Sequence, residues 1–532
     1  MAVPSEPAVL SATTAAPELV EGAFALETSY AATLHEGLNL ADMAHVLDLL
    51  AREVIPRAAA RELLGALREI DGAEATTLPY DAADGEPYNS RERALVARIG
   101  SAAGWLHAGR PRREATRVAF RLLLRRRVAE LAADAAALGT ALAGQANSAA
   151  AMLFGDQTYL QQAQPSTVGH YLLSFAYPVL RDAERLLDAV DWLNRSPGGA
   201  GCVNGTGLRP DREGLAARLG FDAVITHTRD AMWQTDGLVS LLAAVASLAT
   251  TTDALAEDLE IWSSTEFDYV TLAEGYTRAS VLMPQKRNPY ALSIIRGAAG
   301  VLIGRLAGFL AVQKGPSARS DKLIFAYTEV PDALGLAART TRLVRGVVST
   351  LELHPRRMLV QLEGGFSQAT DLAEAVMTVG GLDYRSAYRV VGTVVRRAAA
   401  AGGRGIDITA DDISTAAEEV TGEPLVLDPD VVLAAVDPAA IVATRTGTGG
   451  AAPAPMAEMI DEVCAMADQL STRARARAAA FDVAEAALRA AVAAELATEG
   501  DGLGGGGASG RGLGGGSFAG DEPGDDMEDD DG

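Results

Sequence analysis

Cysteine is almost absent from this sequence, which contains only Cys202 and Cys464 among its 532 residues. Neither cysteine belongs to a CxxC pair, which excludes a disulfide framework and a cysteine-rich metal site. We expect both to be small buried apolar residues. The sequence implies no metal and no organic cofactor.

Lysine is also scarce, since the chain has three lysines and a formal net charge of −24. Such an acidic protein is unsuited to non-specific nucleic-acid binding, because the phosphate backbone attracts the opposite charge. Basic residues would have to be concentrated in a pocket to bind an anion. The scarcity makes each lysine a better functional candidate than usual.

Apolar runs of membrane-spanning length are missing as well, because charges interrupt the runs in a sequence that is 48% hydrophobic. The amino terminus, MAVPSEPAVLSATTAAPELVEG, lacks the basic start and the apolar core of a signal peptide. We therefore expect a soluble, cytoplasmic protein that does not bind a membrane.

Strand-like alternation of β-branched residues is almost absent, whereas apolar residues return every three or four positions over long stretches. The segments with this pattern are 40–55, 115–142, 167–193, 237–262 and 289–313. Several are apolar on more than one face, so they must pack against other helices on most sides. The sequence predicts an all-α fold whose long central helical bundle assembles with other subunits.

Stretches rich in glycine, proline and polar residues divide the chain. We predict an N-terminal helical domain at 1–108, a central helical bundle domain at 109–355 and a C-terminal helical domain at 356–498. Residues 499–532 are Gly-rich and then acidic. Such a segment cannot bury a core, so we predict a disordered tail there.

The stretch SVLMPQKRNP, residues 280–289, combines a serine, two cations and an asparagine directly before an apolar run. Asn288 followed by Pro289 is typical of a helix start, with Asn288 as N-cap and Pro289 as first helical residue. The free N–H groups of that helix end, together with Lys286, favour binding of an anion. Beside such a cation, Ser280 is suited to act as a base.

The same stretch resembles the GSSxMPxKxNP signature of the aspartase/fumarase superfamily, although Ala279 and Val281 replace a glycine and a serine. Three more stretches, at 106–114, 158–186 and 201–221, are similar to segments of its argininosuccinate lyase branch and occur in the same order. The resemblance implies a three-domain all-α subunit that forms a homotetramer. It also implies active sites that are each built from three subunits, with Ser280 as the loop base.

Several departures from the branch bear on the substrate. Tyr159 stands where the branch has the histidine usually assigned as proton donor, and Arg113 stands where it has a carboxylate-binding asparagine. The stretch KGPSARSDKLIFAYTE offers Arg319 and Lys322 where the branch has tyrosine, glutamine and lysine. Argininosuccinate is therefore doubtful as the substrate.

The arginines Arg110, Arg112 and Arg113 open a predicted helix beside a glycine, an arrangement suited to carboxylates. His107 is either a turn residue or a substrate contact. The site residues assigned from the sequence are Ser280 and Tyr159 for catalysis, and Arg112, Arg113, Thr158, Gln164, Lys286, Asn288, His107 and Arg319 for binding a small carboxylate substrate.

These residues imply an elimination in which Ser280 removes a proton next to a carboxylate and a carbon–nitrogen bond breaks, giving fumarate or a related unsaturated acid. Nitrogen as the leaving atom rests on the resemblance alone. Three alternatives remain open: a related elimination or cyclisation in specialised metabolism, a true argininosuccinate lyase, and a catalytically silent structural homologue.

Overall fold

The computed structural model describes residues 15–315 and 321–498. The N-terminal helices pack beside the bundle that follows them. They are α1 (Pro17–Leu19), α2 (Ala25–Thr28), α3 (Ala31–Ala51), α4 (Arg57–Asp71) and α5 (Pro87–Ile99), with a π-helical turn at Val20–Phe24 and a 3₁₀ segment at Gly100–His107.

The central bundle contains most of the long helices. They are α6 (Arg112–Ser148), α7 (Val168–Leu193), α8 (Arg212–Arg218), α9 (Thr228–Trp233), α10 (Asp236–Trp262), α11 (Tyr290–Gln313) and α12 (Asp321–Ser349). Three of the predicted segments match α7, α10 and α11 to within one residue at each end, and 115–142 lies inside α6. The all-α prediction is confirmed, because each apolar stripe packs on a neighbouring helix.

The C-terminal part contains shorter helices and one very long one. They are α13 (Pro355–Gly364), α14 (Ala369–Thr378), α15 (Tyr384–Ala400), α16 (Ala410–Thr421), α17 (Pro429–Val436), α18 (Pro438–Ala443) and α19 (Pro453–Ala497). Helices α14 to α17 share a small core of their own. Helix α19 instead joins the main core, where it packs against α6 and α7.

Strands are few and short. They are β1 (Leu153–Thr158), β2 (Gln161–Thr167), β3 (Arg195–Ser196), β4 (Ala223–Val224), β5 (Val270–Thr271), β6 (Arg278–Ala279), β7 (Arg287–Asn288) and β8 (Glu352–Leu353). The antiparallel pairs β1–β2 and β6–β7 are hairpins that project from helix ends. Both hairpins carry predicted site residues.

Helix α6 is the centre of the main core, and it contacts α3, α7, α12 and α19. Gly139 permits the close approach of α6 to α7, because a Cβ atom there would lie 2.5 Å from Cδ2 of Leu180.

Cys464 is half-buried, but Cys202 is exposed, so the expectation of two buried cysteines is wrong for Cys202. Cys202 lies in a glycine-rich loop.

Two of the described helices, α10 and α11, are long and apolar enough to cross a membrane by length and composition alone. Core helices of soluble proteins have the same character. In α10, 56% of the most apolar window is buried, whereas in α11 only 28% is buried. Apolar surface of α11 is therefore left uncovered by the described part of the subunit.

Candidate active site

The predicted site residues occupy three separate places in the subunit. The α6 group contains His107, Arg112 and Arg113; the hairpin group on β1–β2 contains Thr158, Tyr159 and Gln164; the serine-loop group on β6–β7 contains Ser280, Lys286 and Asn288. Within residues 15–315 and 321–498, no hydrogen bond or ion pair joins one group to another. Arg319 lies outside the described residues.

Two residues of the α6 group, Arg112 and Arg113, lie in the first turn of α6, directly after Pro111. Nη1 of Arg113 lies 2.9 Å from Oε2 of Glu27, and its Nε lies 3.3 Å from Oε2 of Glu86. Nε of Arg112 lies 3.4 Å from the other oxygen of Glu86. Burial disfavours the charge of Arg113, but Glu86 and Glu27 outweigh it and raise the pKa of Arg113. Sequence patterns missed both glutamates, because neither lies near a motif.

Arg110, the first arginine of the cluster, has a structural role. Its side chain is buried, and its Nη2 lies 2.6 Å from Oδ1 of Asp42. Nη2 of Arg91 lies 2.9 Å from the second oxygen of Asp42, and the Tyr88 hydroxyl donates to that carboxylate at 2.6 Å. Burial disfavours the carboxylate charge, but Arg110 and Arg91 outweigh it and lower the pKa of Asp42. Arg110 therefore fastens the start of α6 to α3.

His107 ends the 3₁₀ segment before α6 and is partly exposed. Its Nε2 lies 3.3 Å from Oε1 of Glu92, and its ring packs against that of Tyr88. The hydrogen bond from His107 lowers the pKa of Glu92. The imidazole thus has one nitrogen engaged by a carboxylate.

Glu114, which follows Arg113, is a buried acid that holds a glycine-rich loop. Its two carboxylate oxygens accept hydrogen bonds from the backbone N–H groups of Gly199 and Gly201, each at 2.7 Å. Both glycines have positive φ, 72° and 65°, which other residues adopt only with strain. Burial raises the pKa of Glu114 to about 7, against these donors and Arg110.

The hairpin group lies at the tip of the β1–β2 hairpin. Thr158 pairs with Gln161, so the connecting turn consists of Tyr159 and Leu160. Their φ angles are 56° and 57°, the pattern of a type I′ turn, which usually contains Asn-Gly. Tyr159 is 98% exposed. The turn therefore presents an aromatic hydroxyl to the outside of the subunit.

The same hairpin is attached, close to its turn, to the C-terminal part. Nε2 of Gln162 donates to the backbone oxygen of Gln361 in α13 at 2.9 Å. Gln164 is exposed on β2, and Thr158 is exposed at the end of β1. The side chains predicted to bind substrate are thus free on the hairpin surface.

The serine-loop group lies in the connection between β6 and β7. Arg278 pairs with Asn288 and Ala279 with Arg287, and the backbone N–H of Ser280 donates to the oxygen of Lys286 at 3.2 Å. The serine and the lysine are six positions apart in sequence, but this ladder holds them side by side. The geometry explains the spacing of the motif.

The Ser280 hydroxyl is half-buried, and its Oγ accepts a hydrogen bond from the backbone N–H of Met283 at 3.0 Å. A donor to Oγ stabilises negative charge on that oxygen. Lys286 is exposed, as are Val281 and Leu282 between the two residues. The loop therefore presents its functional groups and two apolar side chains to the outside of the subunit.

Asn288 does not cap the following helix. Helix α11 begins at Tyr290 with Pro289 as N-cap, and no side chain caps its end. Nδ2 of Asn288 instead donates to the backbone oxygen of Arg278 at 2.9 Å. The prediction that Asn288 is the N-cap is wrong, because Asn288 belongs to β7 and pairs with Arg278. The helix therefore starts one position later than expected. The N–H groups of the first turn of α11 still lie directly after the loop.

Comparison with known families gives two matches that together cover most of the chain. Residues 14–304 match the family described as Lyase, and residues 366–443 match the family described as Argininosuccinate lyase C-terminal. The first match contains all three groups of site residues.

Curated relatives agree with these matches. The argininosuccinate lyase of Haloarcula marismortui is 35% identical over 452 residues, which are 83% of this chain and 88% of the relative. The argininosuccinate lyase of Natronomonas pharaonis is 37% identical over 454 residues, 84% of this chain and 89% of the relative.

Solved structures share the fold. A crystal structure of EDDS lyase in complex with formate superposes with a TM-score of 0.80 at 26% identity, covering 91% of this chain and 97% of the other. The 3-carboxy-cis,cis-muconate lactonizing enzyme from Pseudomonas putida gives a TM-score of 0.66 at 19% identity, covering 85% and 99%, and this likeness concerns the fold alone.

Proposed function

Because the chain belongs to the aspartase/fumarase superfamily, in its argininosuccinate lyase-like branch, and is therefore a carbon–nitrogen lyase, we propose that it eliminates an amine from an N-substituted aspartate. The products are fumarate, or a related unsaturated acid, and the free amine. The observation that carries this proposal is the serine loop, in which the β6–β7 ladder holds Ser280 beside Lys286.

Ser280 is the base in this mechanism. Its Oγ removes the proton from the carbon next to a substrate carboxylate, and the electrons move into that carboxylate to give an aci-carboxylate dianion. The N–H of Met283 at 3.0 Å, the Lys286 cation and the first turn of α11 favour the serine alkoxide. Each of these groups stabilises the negative charge on Oγ of Ser280, so together they favour loss of the hydroxyl proton.

The dianion needs positive charge and hydrogen-bond donors around it. Lys286 and Asn288 supply these from the serine loop, Thr158 from the hairpin and Arg113 from the α6 group. Arg113 is already paired with Glu27 and Glu86. Its charge toward the substrate is therefore partly balanced.

Tyr159 is the proton donor to the leaving nitrogen. It stands where the branch has a histidine, and its hydroxyl is exposed at the hairpin tip. When the carbon–nitrogen bond breaks, the phenol proton passes to the amine, and the phenolate is reprotonated from solvent. The serine proton is released to solvent in the same turnover, so the charges balance.

The three groups meet only if they come from different subunits, and we therefore include a homotetramer in the proposal. Support comes from α11, which leaves Tyr290, Ile294, Val301, Ile303 and Leu310 exposed on more than one side of the helix. An apolar surface of this extent is typical of subunit contacts. Light scattering at micromolar concentration should give the mass of four subunits, and a monodisperse monomer would contradict the assembly.

Mixing two inactive variants tests whether the groups come from different subunits. Ser280→Ala and Tyr159→Phe are each expected to lose most activity. After the two proteins are unfolded and refolded together, some sites combine an intact serine loop with an intact hairpin, so part of the activity returns. The double variant, treated in the same way, is the control and should stay inactive. No recovery in the mixed sample would mean that one subunit supplies both groups.

A second candidate is the cleavage of argininosuccinate itself, favoured by the 35–37% identity with curated argininosuccinate lyases. The replacement of histidine by Tyr159 weighs against it. A panel of N-substituted aspartates that includes argininosuccinate and EDDS separates the two, with fumarate followed by its ultraviolet absorbance. Turnover of none of these compounds, by a protein that is folded and tetrameric, would overturn the proposed lyase function.

A further inference from the structure

Helix α6 carries a row of arginines, each one helical turn after the previous one, and the last three are buried. Arg117 is 4% exposed, Arg121 is 6% exposed and Arg125 is fully buried. Each buried guanidinium stacks on aromatic rings. The pairs are Arg117 on Trp233 at 5.0 Å, Arg121 on Trp192 at 4.3 Å, and Arg125 on Phe221 at 4.8 Å and on Phe481 at 4.3 Å.

The arginines of this row differ in how their charge is balanced. Arg125 has the carboxylate of Glu485 at 3.9 Å from its Nη2. For Arg117 and Arg121, no carboxylate of residues 15–315 or 321–498 lies within ion-pair distance. Burial lowers the pKa of Arg117, and it lowers the pKa of Arg121 to about 10. Arginine stays protonated in proteins, so both are cations. The carboxylates of Asp230 and Asp236 favour the charge of Arg121, but they do so without a direct ion pair.

The donors of Arg121 are satisfied by neutral oxygens. Its Nη1 donates to the backbone oxygens of Trp192 at 3.0 Å and Leu193 at 3.1 Å, and its Nη2 donates to Oε1 of Gln234 at 3.0 Å. These contacts satisfy hydrogen bonds but do not neutralise the charge. An unbalanced buried cation is costly, and a neighbouring anion offsets that cost.

Arg117 keeps one donor free. Its Nη1 donates to the backbone oxygen of Arg113 at 3.2 Å and to the hydroxyl of Tyr327 at 2.8 Å, and its Nε donates to the oxygen of Met232. Its Nη2 is buried and has no hydrogen-bond partner in the described part of the chain. A buried donor without an acceptor indicates a missing acceptor at this place.

A small, partly open cavity is lined by both Arg117 and Arg121. Its volume is about 20 Å³, and Arg117, Arg121, Phe120, Gln234 and Met232 are among the residues that line it. That volume admits one water molecule or one monatomic ion. The lining oxygens, on Gln234 and Met232, already accept hydrogen bonds from the arginines. A guest that accepts hydrogen bonds without having to donate any therefore suits the cavity better than water.

We propose that the cavity lined by Arg117 and Arg121 is a binding site for a single monovalent inorganic anion of the halide class, with chloride as the natural occupant. The anion accepts a hydrogen bond from Nη2 of Arg117 and offsets one of the two positive charges of Arg117 and Arg121. It is bound inside the subunit, so it is independent of the substrate and of the proposed elimination.

Thermal unfolding of the wild-type protein in chloride, bromide or gluconate, at constant ionic strength and pH, tests the site. Gluconate is too large for the cavity. Chloride and bromide should raise the Tm, saturably, by about 2 °C or more relative to gluconate, because an ion that binds only the folded state stabilises it. Equal Tm values in the three salts would overturn the proposal.

Two variants locate the effect. Arg117→Met should abolish the difference between chloride and gluconate. Arg125→Met is the matched control: it removes an equally buried arginine of the same helix, one that already has a carboxylate beside it, so the halide effect should persist. Loss of the effect in Arg125→Met alone would place the ion elsewhere and overturn the proposal.

Crystals of the wild-type protein grown in bromide give a result that does not depend on the folding of any variant. An anomalous difference peak in contact with Nη2 of Arg117 supports the site. Well-ordered density for this region without an anomalous peak in the cavity means that water fills it, which overturns the proposal.

Discussion

Nη1 of Arg113 lies 2.9 Å from Oε2 of Glu27, so the arginine that stands where the branch has an asparagine is paired with a buried carboxylate. We predict that Glu27→Gln strengthens binding of an anionic substrate, because Arg113 then keeps only Glu86 as a partner. The expected change is a decrease in KM of about 2- to 10-fold, equivalent to ~0.4–1.4 kcal/mol. Glu21→Gln, at an exposed position of the preceding turn, is the control. An unchanged KM would show that Arg113 does not contact the substrate.

Ser280→Ala should bind substrate nearly as well as the wild type while kcat falls by about 10³-fold or more, because the hydroxyl acts mainly in the transition state. Calorimetry measures binding, and fumarate formation measures turnover. Thr277→Ala removes a hydroxyl just before the same hairpin and should leave both quantities unchanged. If Ser280→Ala kept most of its activity, the lyase mechanism assigned to this loop would have to be abandoned.

Lys286→Met should differ from the serine variant. The lysine holds the ground-state carboxylate as well as the dianion, so both affinity and kcat are expected to decline, each by about 10-fold or more. Arg287→Met removes the neighbouring cation and controls for a general loss of positive charge. Equal effects of the two substitutions would mean that only the net charge of the loop matters.

Tyr159→Phe should lower kcat by about 10²- to 10⁴-fold if the phenol is the proton donor. The Tm should not change, because the side chain is 98% exposed and the substitution preserves its ring. Leu160→Phe changes the other residue of the turn and should retain the chemistry. Activity of Tyr159→Phe close to that of the wild type would assign the proton donor to another group.

Glu114 should make stability depend on pH in an unusual direction. Its pKa is raised to about 7 in the folded protein from an ordinary 4.5, so the folded state holds a proton that the unfolded chain releases between these values. The resulting stabilisation is complete below pH 4.5 and is lost as the pH rises through 7, amounting to ~3 kcal/mol in the free energy of unfolding.

Glu114→Gln removes this titration. The Tm of the wild type relative to that of Glu114→Gln should therefore fall from pH 5 to pH 8. Glu130→Gln, at an exposed position of the same helix, is the control and should follow the wild type at every pH. A constant difference between wild type and Glu114→Gln over this range would show that Glu114 does not titrate there.

The long helices were predictable because their signal is local. In α7, α10 and α11, apolar residues return with the helical period, so the sequence predicts the helix. The serine loop was predictable for a related reason. Ser280, Lys286 and Asn288 lie within nine positions, and the loop geometry depends mostly on these neighbours.

The β1–β2 hairpin was not predictable from the pattern of its residues. Its strands are largely polar and do not alternate, and its turn places Tyr159 and Leu160 at positive φ, where sequence rules expect Asn-Gly. Only the resemblance to the branch drew attention to Thr158 and Tyr159. The shape that exposes them comes from packing of the hairpin against α13.

The sequence by itself determined the helices, the family and the loop that carries Ser280, because these depend on residues close together in the chain. Only the tertiary structure decided which arginine serves which purpose. Arg110 and Arg113 are three positions apart, yet the buried Arg110 pairs with Asp42 in the core and the partly exposed Arg113 pairs with Glu27. Their partners are distant in sequence, and an ion pair depends on distance in space, which folding alone sets.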